Sequence, residues 1–158
     1  MKEQIKQIYH DSQNVRTLVS FLEKENHLSC LGLIGSARAY VIAATTDIIG
    51  SNNFIICSDK ERAAYFYNDL ENIFGEKDSD YSKKRVLFYP TSYKRPYEPE
   101  KADNTYILSR TEVLQRLSTS DRKTIIVTYP EALSEKVITR KTMSHNTFKL
   151  SVGNNISL

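Results

Sequence analysis

The segment Gly32-Leu33-Ile34-Gly35-Ser36-Ala37-Arg38-Ala39 joins two apolar stretches of different character. Ahead of it, LSCLGLI (28–34) is a short apolar run bounded by polar residues, which predicts a strand buried on both faces. Behind it, SARAYVIAATTDIIG (36–50) predicts a helix closed by Gly50. A glycine-bearing turn between a buried strand and a helix is where a phosphate-binding loop belongs, because the helix start offers unpaired N–H groups.

Working outward, the same alternation repeats. Val15, Leu18, Val19 and Leu22 recur at helical spacing and predict an amphipathic helix over 13–26. NFIICS (53–58) predicts a second buried strand, and Ser58 with Glu61 forms an S-x-x-E capping box at the start of a helix. That helix carries Ala63, Phe66, Tyr67, Leu70, Ile73 and Phe74 as its apolar stripe and ends at Gly75. RVLFY (85–89) predicts a third strand, followed by a loop, PTSYKRPYEPEKADN (90–104), that holds three of the four prolines. Residues 104–118 predict a helix, TIIVT (124–128) a fourth strand, and PEALSEKV (130–137) a short helix with Pro130 in its first turn. TFKLSVG (147–153) has the pattern of a further strand.

Strands alternating with helices imply an α/β fold, a mainly parallel sheet flanked by helices in a doubly wound, nucleotide-hydrolase-like layout. Three stretches follow: a helical lead-in over 1–27, the α/β unit over 28–138, and a connecting segment over 139–158.

The composition fits one domain. At 158 residues, 40% hydrophobic and 26% charged, the chain is long and apolar enough to bury a core, which excludes a disordered or fibrous polymer. No run approaches the roughly 20 apolar residues of a membrane span. The opening MKEQIKQIYHDSQ lacks the apolar centre of a secretory signal, so a cytoplasmic setting is the expectation. The net charge of +3 is too small to announce a nucleic-acid binder, but it is unevenly spread. Residues 1–80 carry 8 basic and 12 acidic side chains, and residues 81–158 carry 14 and 7. Cys30 and Cys57 sit in apolar runs and read as buried thiols on strands.

Against the working pattern G-x-x-x-x-G-K-[ST], the turn at 32–39 is degenerate. Gly32 is kept, Ala37 stands at the second glycine, Arg38 at the lysine and Ala39 at the hydroxyl that ligates magnesium. Ala37 adds a Cβ where backbone must approach phosphate, and Ala39 removes the metal-binding oxygen. Arg38 keeps the charge in a different shape. Neither TIIVTYP nor RVLFYPT ends in the acidic pair that would hold Mg²⁺. Without hydroxyl, carboxylate and lysine, phosphoryl transfer loses its electrostatic support, so no catalytic residue, metal or cofactor is assigned to this chain. The plainer reading, a tight strand–helix turn that never held phosphate, stands beside this one. Ser36 reads as the N-cap of the following helix.

GLIGSARAYVIAA, then FYP…YEP…DN, ILSRTEVLQRL and TIIVTYPEALSEKV, resemble the N-terminal module of the bacterial transcription-repair coupling factor (Mfd). That module is itself similar to domain 1 of the excision-repair protein UvrB, with the phosphate loop lost. Gly35-Ser36-Ala37-Arg38-Ala39 is the most specific piece, and Arg110, Leu114 and Leu117 before strand 124–128 match the next helix–strand unit. The resemblance runs from about Leu28 to Leu158 and implies a fragment of a larger protein. The whole would be an ATP-dependent DNA translocase that displaces stalled RNA polymerase and recruits UvrA. ATP and magnesium would then belong to downstream motor domains, and UvrA, RNA polymerase and double-stranded DNA would be partners of the full-length protein. This chain's own expected role is a non-catalytic scaffold contacting other domains of the same polypeptide.

Two other features bear on nucleic acid. Tyr93, Lys94, Arg95 and Tyr97 interleave aromatics with cations among prolines, a composition that can stack bases and bind phosphate; the simpler account is a stiffened loop packed on the sheet. Lys83-Lys84-Arg85 reads as a solvated turn before the third strand. His10, His27 and His145 lie at no metal-ligand spacing.

Overall fold

β-Branched, uncharged Ile125–Thr128 forms the middle of a three-stranded parallel sheet, and all four of its residues are buried. The computed structural model describes residues 2–25, 27–92, 104–119 and 123–146. Within them the order is α1 Lys2–Asp11, α2 Gln13–Leu22, α3 Ala37–Ile49, β1 Asn53–Ile56, α4 Lys60–Phe74, a 3-10 turn Tyr81–Lys83, β2 Val86–Phe88, α5 Asn104–Thr119, β3 Ile125–Thr128, α6 Pro130–Ser134 and α7 Arg140–His145. The sheet order is β1-β3-β2, with Asn53 and Val86 both level with Ile125. The expected α/β class with a parallel sheet is what the chain forms.

Successive strand residues point to opposite faces, so full burial of both Val86 and Leu87 means that both faces of β2 are covered. α4 packs on β2 and β3, and α5 packs on β2. Ala39 and Ala43 of α3 and Ala63 of α4 are fully buried, their small side chains letting these helices approach each other closely. Leu70, Val113 and Ile126 complete the core; each such side chain fully withdrawn from water contributes about 1.5–3 kcal/mol. α1 and α2 lie against α3, with Tyr9 stacked on Tyr40 at 5.2 Å between ring centres. The helices end at Gly50 and Gly75 as expected.

Several expectations are corrected. Residues 28–34 form no strand and are largely exposed: Leu31 is 90% and Ile34 83% accessible. An apolar run becomes a strand only where a neighbour supplies its hydrogen bonds, and among the described residues none pairs with this one. Cys30 is therefore exposed, and Cys57 is half-buried just past β1. β1 is not covered on both faces, since Phe54 and Ile56 remain 49% and 58% exposed. The helix over 13–26 stops at Leu22, and α1 adds a helix that the periodicity of 13–26 did not extend to. α4 is capped by Asp59, whose carboxylate accepts the Arg62 N–H at 2.8 Å, rather than by Ser58; the Ser58 hydroxyl donates to Asp59 at 2.7 Å. The third strand is trimmed to Val86–Phe88 and the fourth to Ile125–Thr128. The expected strand at 147–153 lies outside the described residues.

The basic cluster before β2 is also corrected. Lys84 is 9% exposed, its ammonium held by the Glu71 carboxylate and 3.5 Å from the Lys77 carbonyl oxygen. Arg85 pairs with Asp47 and lies over the Phe74 ring at 4.9 Å. Only Lys83 keeps the solvated character expected of the turn. Glu71 also accepts the Tyr67 hydroxyl at 2.6 Å, so one buried carboxylate organises a cation and a phenol. Burial first, and the bond to Glu71 second, hold the Tyr67 proton far more tightly than in a free phenol.

Candidate functional site

The turn at 32–39 approaches α3 through two left-handed residues, Gly32 at φ 82° and Gly35 at φ 56°, a region that disfavours side chains. α3 then begins at Ala37 with Ser36 at its N-cap position, as expected, yet the Ser36 side chain does not cap. Its hydroxyl donates instead to the Asp69 carboxylate of α4 at 3.1 Å. A protein-borne anion thus stands beside the helix start, complementing its partial positive charge from within.

The three substituted motif positions are each committed elsewhere. The Ala37 N–H donates to the Ile34 carbonyl at 3.2 Å, closing the turn on itself. Arg38 folds back, its Nε donating to the Leu33 carbonyl at 3.1 Å. Ala39 is fully buried in the core, so a side chain here points at packed hydrocarbon and not at a ligand. The sequence-level reading of Ala39 as a missing hydroxyl is therefore incomplete: this position has become a packing residue.

The carboxyl ends of β2 and β3, where α/β sheets place their chemistry, are occupied by an internal network. Thr128 Oγ1 donates to the Tyr89 carbonyl at 2.8 Å, and the Tyr129 hydroxyl accepts the Thr91 N–H at 3.0 Å. Arg110, 6% exposed, lies over the Tyr89 ring at 4.2 Å and donates through Nη1 to the carbonyls of Pro90 at 2.7 Å and Ala132 at 3.1 Å. Glu135 faces Arg110 at 3.5 Å and receives both the Ser92 N–H, at 2.8 Å, and the Ser92 hydroxyl. Burial holds the Tyr89 phenol protonated above its ordinary range, with Arg110 opposing. Arg110 was marked in the sequence by the resemblance alone; Glu135 and Asp69 carried no signal there, because their partners lie 25 and 33 residues away along the chain.

The aromatic–cationic residues Tyr93, Lys94, Arg95 and Tyr97 lie outside the described residues. Thr91 and Ser92, the described residues ahead of them, are pinned by Tyr129 and Glu135. Further along, Arg116 donates to the carbonyls of Tyr81 at 2.9 Å and Ser82 at 2.8 Å, and to that of Lys84. The turn at 32–39, Lys84 and Arg85 of the basic cluster, and the two buried arginines are thus engaged in the fold itself. No helix among the described residues is long and apolar enough to cross a membrane.

No protein-family model and no solved structure matches the chain. Two curated proteins are similar to it. The chain is 26% identical over 149 residues to UvrABC system protein B of Thermosipho africanus, covering 91% of this chain and 22% of that protein. It is 31% identical over 99 residues to UvrABC system protein B of Gloeothece citriformis, covering 60% of this chain and 14% of that one. The chain spans less than a quarter of the length of the relatives it matches. What surrounds the degenerate turn is therefore an α/β chain similar to one portion of UvrABC system protein B.

Proposed function

We propose that this chain is a non-catalytic, UvrB-like scaffold in nucleotide excision repair, of the kind that opens a transcription-repair coupling factor. The observation that carries the reading is the turn at 32–39. It keeps the glycine-bearing approach to the start of α3, with no strand ahead of it among the described residues, while Arg38 bonds its own backbone, Ala39 packs into the core and Asp69 fills the charge role beside α3. Phosphate at this turn would meet the Asp69 carboxylate, and no hydroxyl is left to hold magnesium. Similarity to UvrABC system protein B over most of the chain supports the repair context. In this reading the full-length protein's translocation on DNA, displacement of RNA polymerase and recruitment of UvrA reside in other domains, and this module positions them.

Two measurements test the reading. A fluorescent ATP analogue titrated into residues 1–158 with Mg²⁺ is expected to give no saturable signal; tight, magnesium-dependent binding would overturn the non-catalytic assignment. Deleting the gene in the source organism is expected to lower survival after ultraviolet irradiation, and unchanged survival removes the repair assignment.

A further inference from the structure

β2 closes one end of the sheet order, so among the described residues only β3 lies beside it. Val86-Leu87-Phe88 carries no charge and no proline, and such an edge templates pairing with another chain unless something blunts it. The cations at its flank are spent elsewhere: Glu71 takes the Lys84 ammonium and Asp47 the Arg85 guanidinium. Side chains do the blunting instead. In the ladder to β3 the Arg85 carbonyl accepts the Ile125 N–H, and the Tyr89 N–H donates to the Val127 carbonyl, both at 2.9 Å. Alternate residues of a parallel strand turn to opposite neighbours, so Lys84, Val86 and Phe88 direct their backbone groups away from β3.

Each of the three meets a side chain. Arg116 of α5 donates to the Lys84 carbonyl. The Glu76 carboxylate accepts the Val86 N–H at 2.9 Å and the Arg85 N–H at 2.8 Å. The Tyr81 hydroxyl donates to the Phe88 carbonyl at 3.3 Å. Donor, acceptor, donor is the order in which a neighbouring backbone would present its own groups. Glu76 and Tyr81 belong to one short segment, 75–84, which leaves α4 at the left-handed Gly75 and passes through the 3-10 turn. Arg116, 7% exposed, fastens that segment to the same edge: its Nη2 donates to the Tyr81 and Ser82 carbonyls at 2.9 and 2.8 Å.

We propose that residues 75–84 form a strap whose side chains stand in for a strand and close the β2 edge to strand addition, with Glu76 as its latch and a second copy of this chain as the occupant it excludes. Glu76 is the latch because Val86 is fully buried. Without the carboxylate its N–H has no acceptor and no water, a loss that an incoming strand repairs. A second copy is the occupant because the edge is complementary to itself. Two copies of Val86-Leu87-Phe88 can pair antiparallel about a two-fold axis, each strand supplying the acceptors that the other lacks.

Amide hydrogen exchange and sedimentation equilibrium of residues 1–158, from micromolar to millimolar concentration, test the strap. In the unaltered chain the Val86 amide is expected to stay protected throughout. In Glu76→Ala at micromolar concentration it is expected to exchange about ten-fold faster or more, with the Tyr89 amide, which faces β3, unchanged. Towards millimolar concentration Glu76→Ala is expected to dimerise and to regain protection at Val86. Glu76→Gln keeps an acceptor oxygen and is expected to behave as the unaltered chain, which a role resting on charge alone would not allow. Glu76→Asp withdraws the carboxylate by one methylene and keeps its charge; it is read in the same way where Glu76→Ala fails to fold. Unchanged exchange at Val86 overturns the proposal, as does a folded variant that stays monomeric at every concentration. A dimer whose newly protected amides are Phe54 and Ile56, at the opposite edge, overturns it equally.

Discussion

Ala39 illustrates how one residue can be read correctly for chemistry and incompletely for structure. Its lack of a hydroxyl is plain in the sequence, but its complete burial against the core is visible only in the fold. Combining Ala37→Gly, Arg38→Lys and Ala39→Thr therefore restores the motif on paper while forcing two extra heavy atoms into packed space. The triple variant is expected to show no ATP hydrolysis and to lose about 1–3 kcal/mol of stability, read as a lower urea midpoint. Glu71 gives a second prediction at this scale. Its carboxylate serves both the Lys84 ammonium and the Tyr67 hydroxyl in a site where neither charge is solvated, the side chains being 8% and 11% exposed. Glu71→Gln leaves Lys84 charged and uncompensated, and urea denaturation should report a loss of about 3–5 kcal/mol.

Elements with a complete set of local and long-range support were legible from sequence. α4 has its apolar stripe and its terminal glycine, and β3 is a run of β-branched residues flanked by both neighbours. Its cap was misplaced by one residue because Ser58 and Asp59 are both competent, and the carboxylate is the one aimed at the Arg62 N–H. The segment 28–34 was legible as apolar but not as unpaired, since pairing depends on a partner that the segment itself does not encode. Lys84 and Arg85 looked solvated for a related reason: Glu71 and Asp47 lie 13 and 38 residues away in sequence. The exposed Cys30 and the half-buried Cys57 separate these cases chemically. Burial, then the nearby Asp59 charge, pushes the Cys57 thiol up and lowers its reactive thiolate fraction. In residues 1–158, iodoacetamide at pH 8 is expected to modify Cys30 several-fold faster than Cys57, as followed by mass spectrometry of timed digests.

At the scale of the molecule, titration and charge placement both follow from burial. Tyr67, Tyr81 and Tyr89 have phenol protons held above the ordinary range, with burial the leading cause in each. The unfolded chain releases those protons near pH 10 while the folded chain retains them, so their contribution is complete below pH 10 and is lost as pH rises beyond it. Thermal midpoints are expected to fall steadily above about pH 10. The excess of basic residues in the second half suggests a polyanion partner until their engagements are traced. Lys84, Arg85, Arg110 and Arg116 all bond within the fold. Residues 1–158 are expected to bind duplex DNA undetectably even at about 50 mM salt; a strong signal falling steeply with salt would return the basic half to a nucleic-acid role.

The most direct test follows the backbone amides of Gly32 through Ala39 by NMR while ATP and Mg²⁺ are added to residues 1–158. The expected spectrum shows no saturable shift at these eight residues into the millimolar range. Saturable, magnesium-dependent shifts centred on Gly35, Ala37 and Arg38, abolished by Arg38→Ala, would contradict the assignment of this turn as a scaffold and show it to be a working nucleotide site.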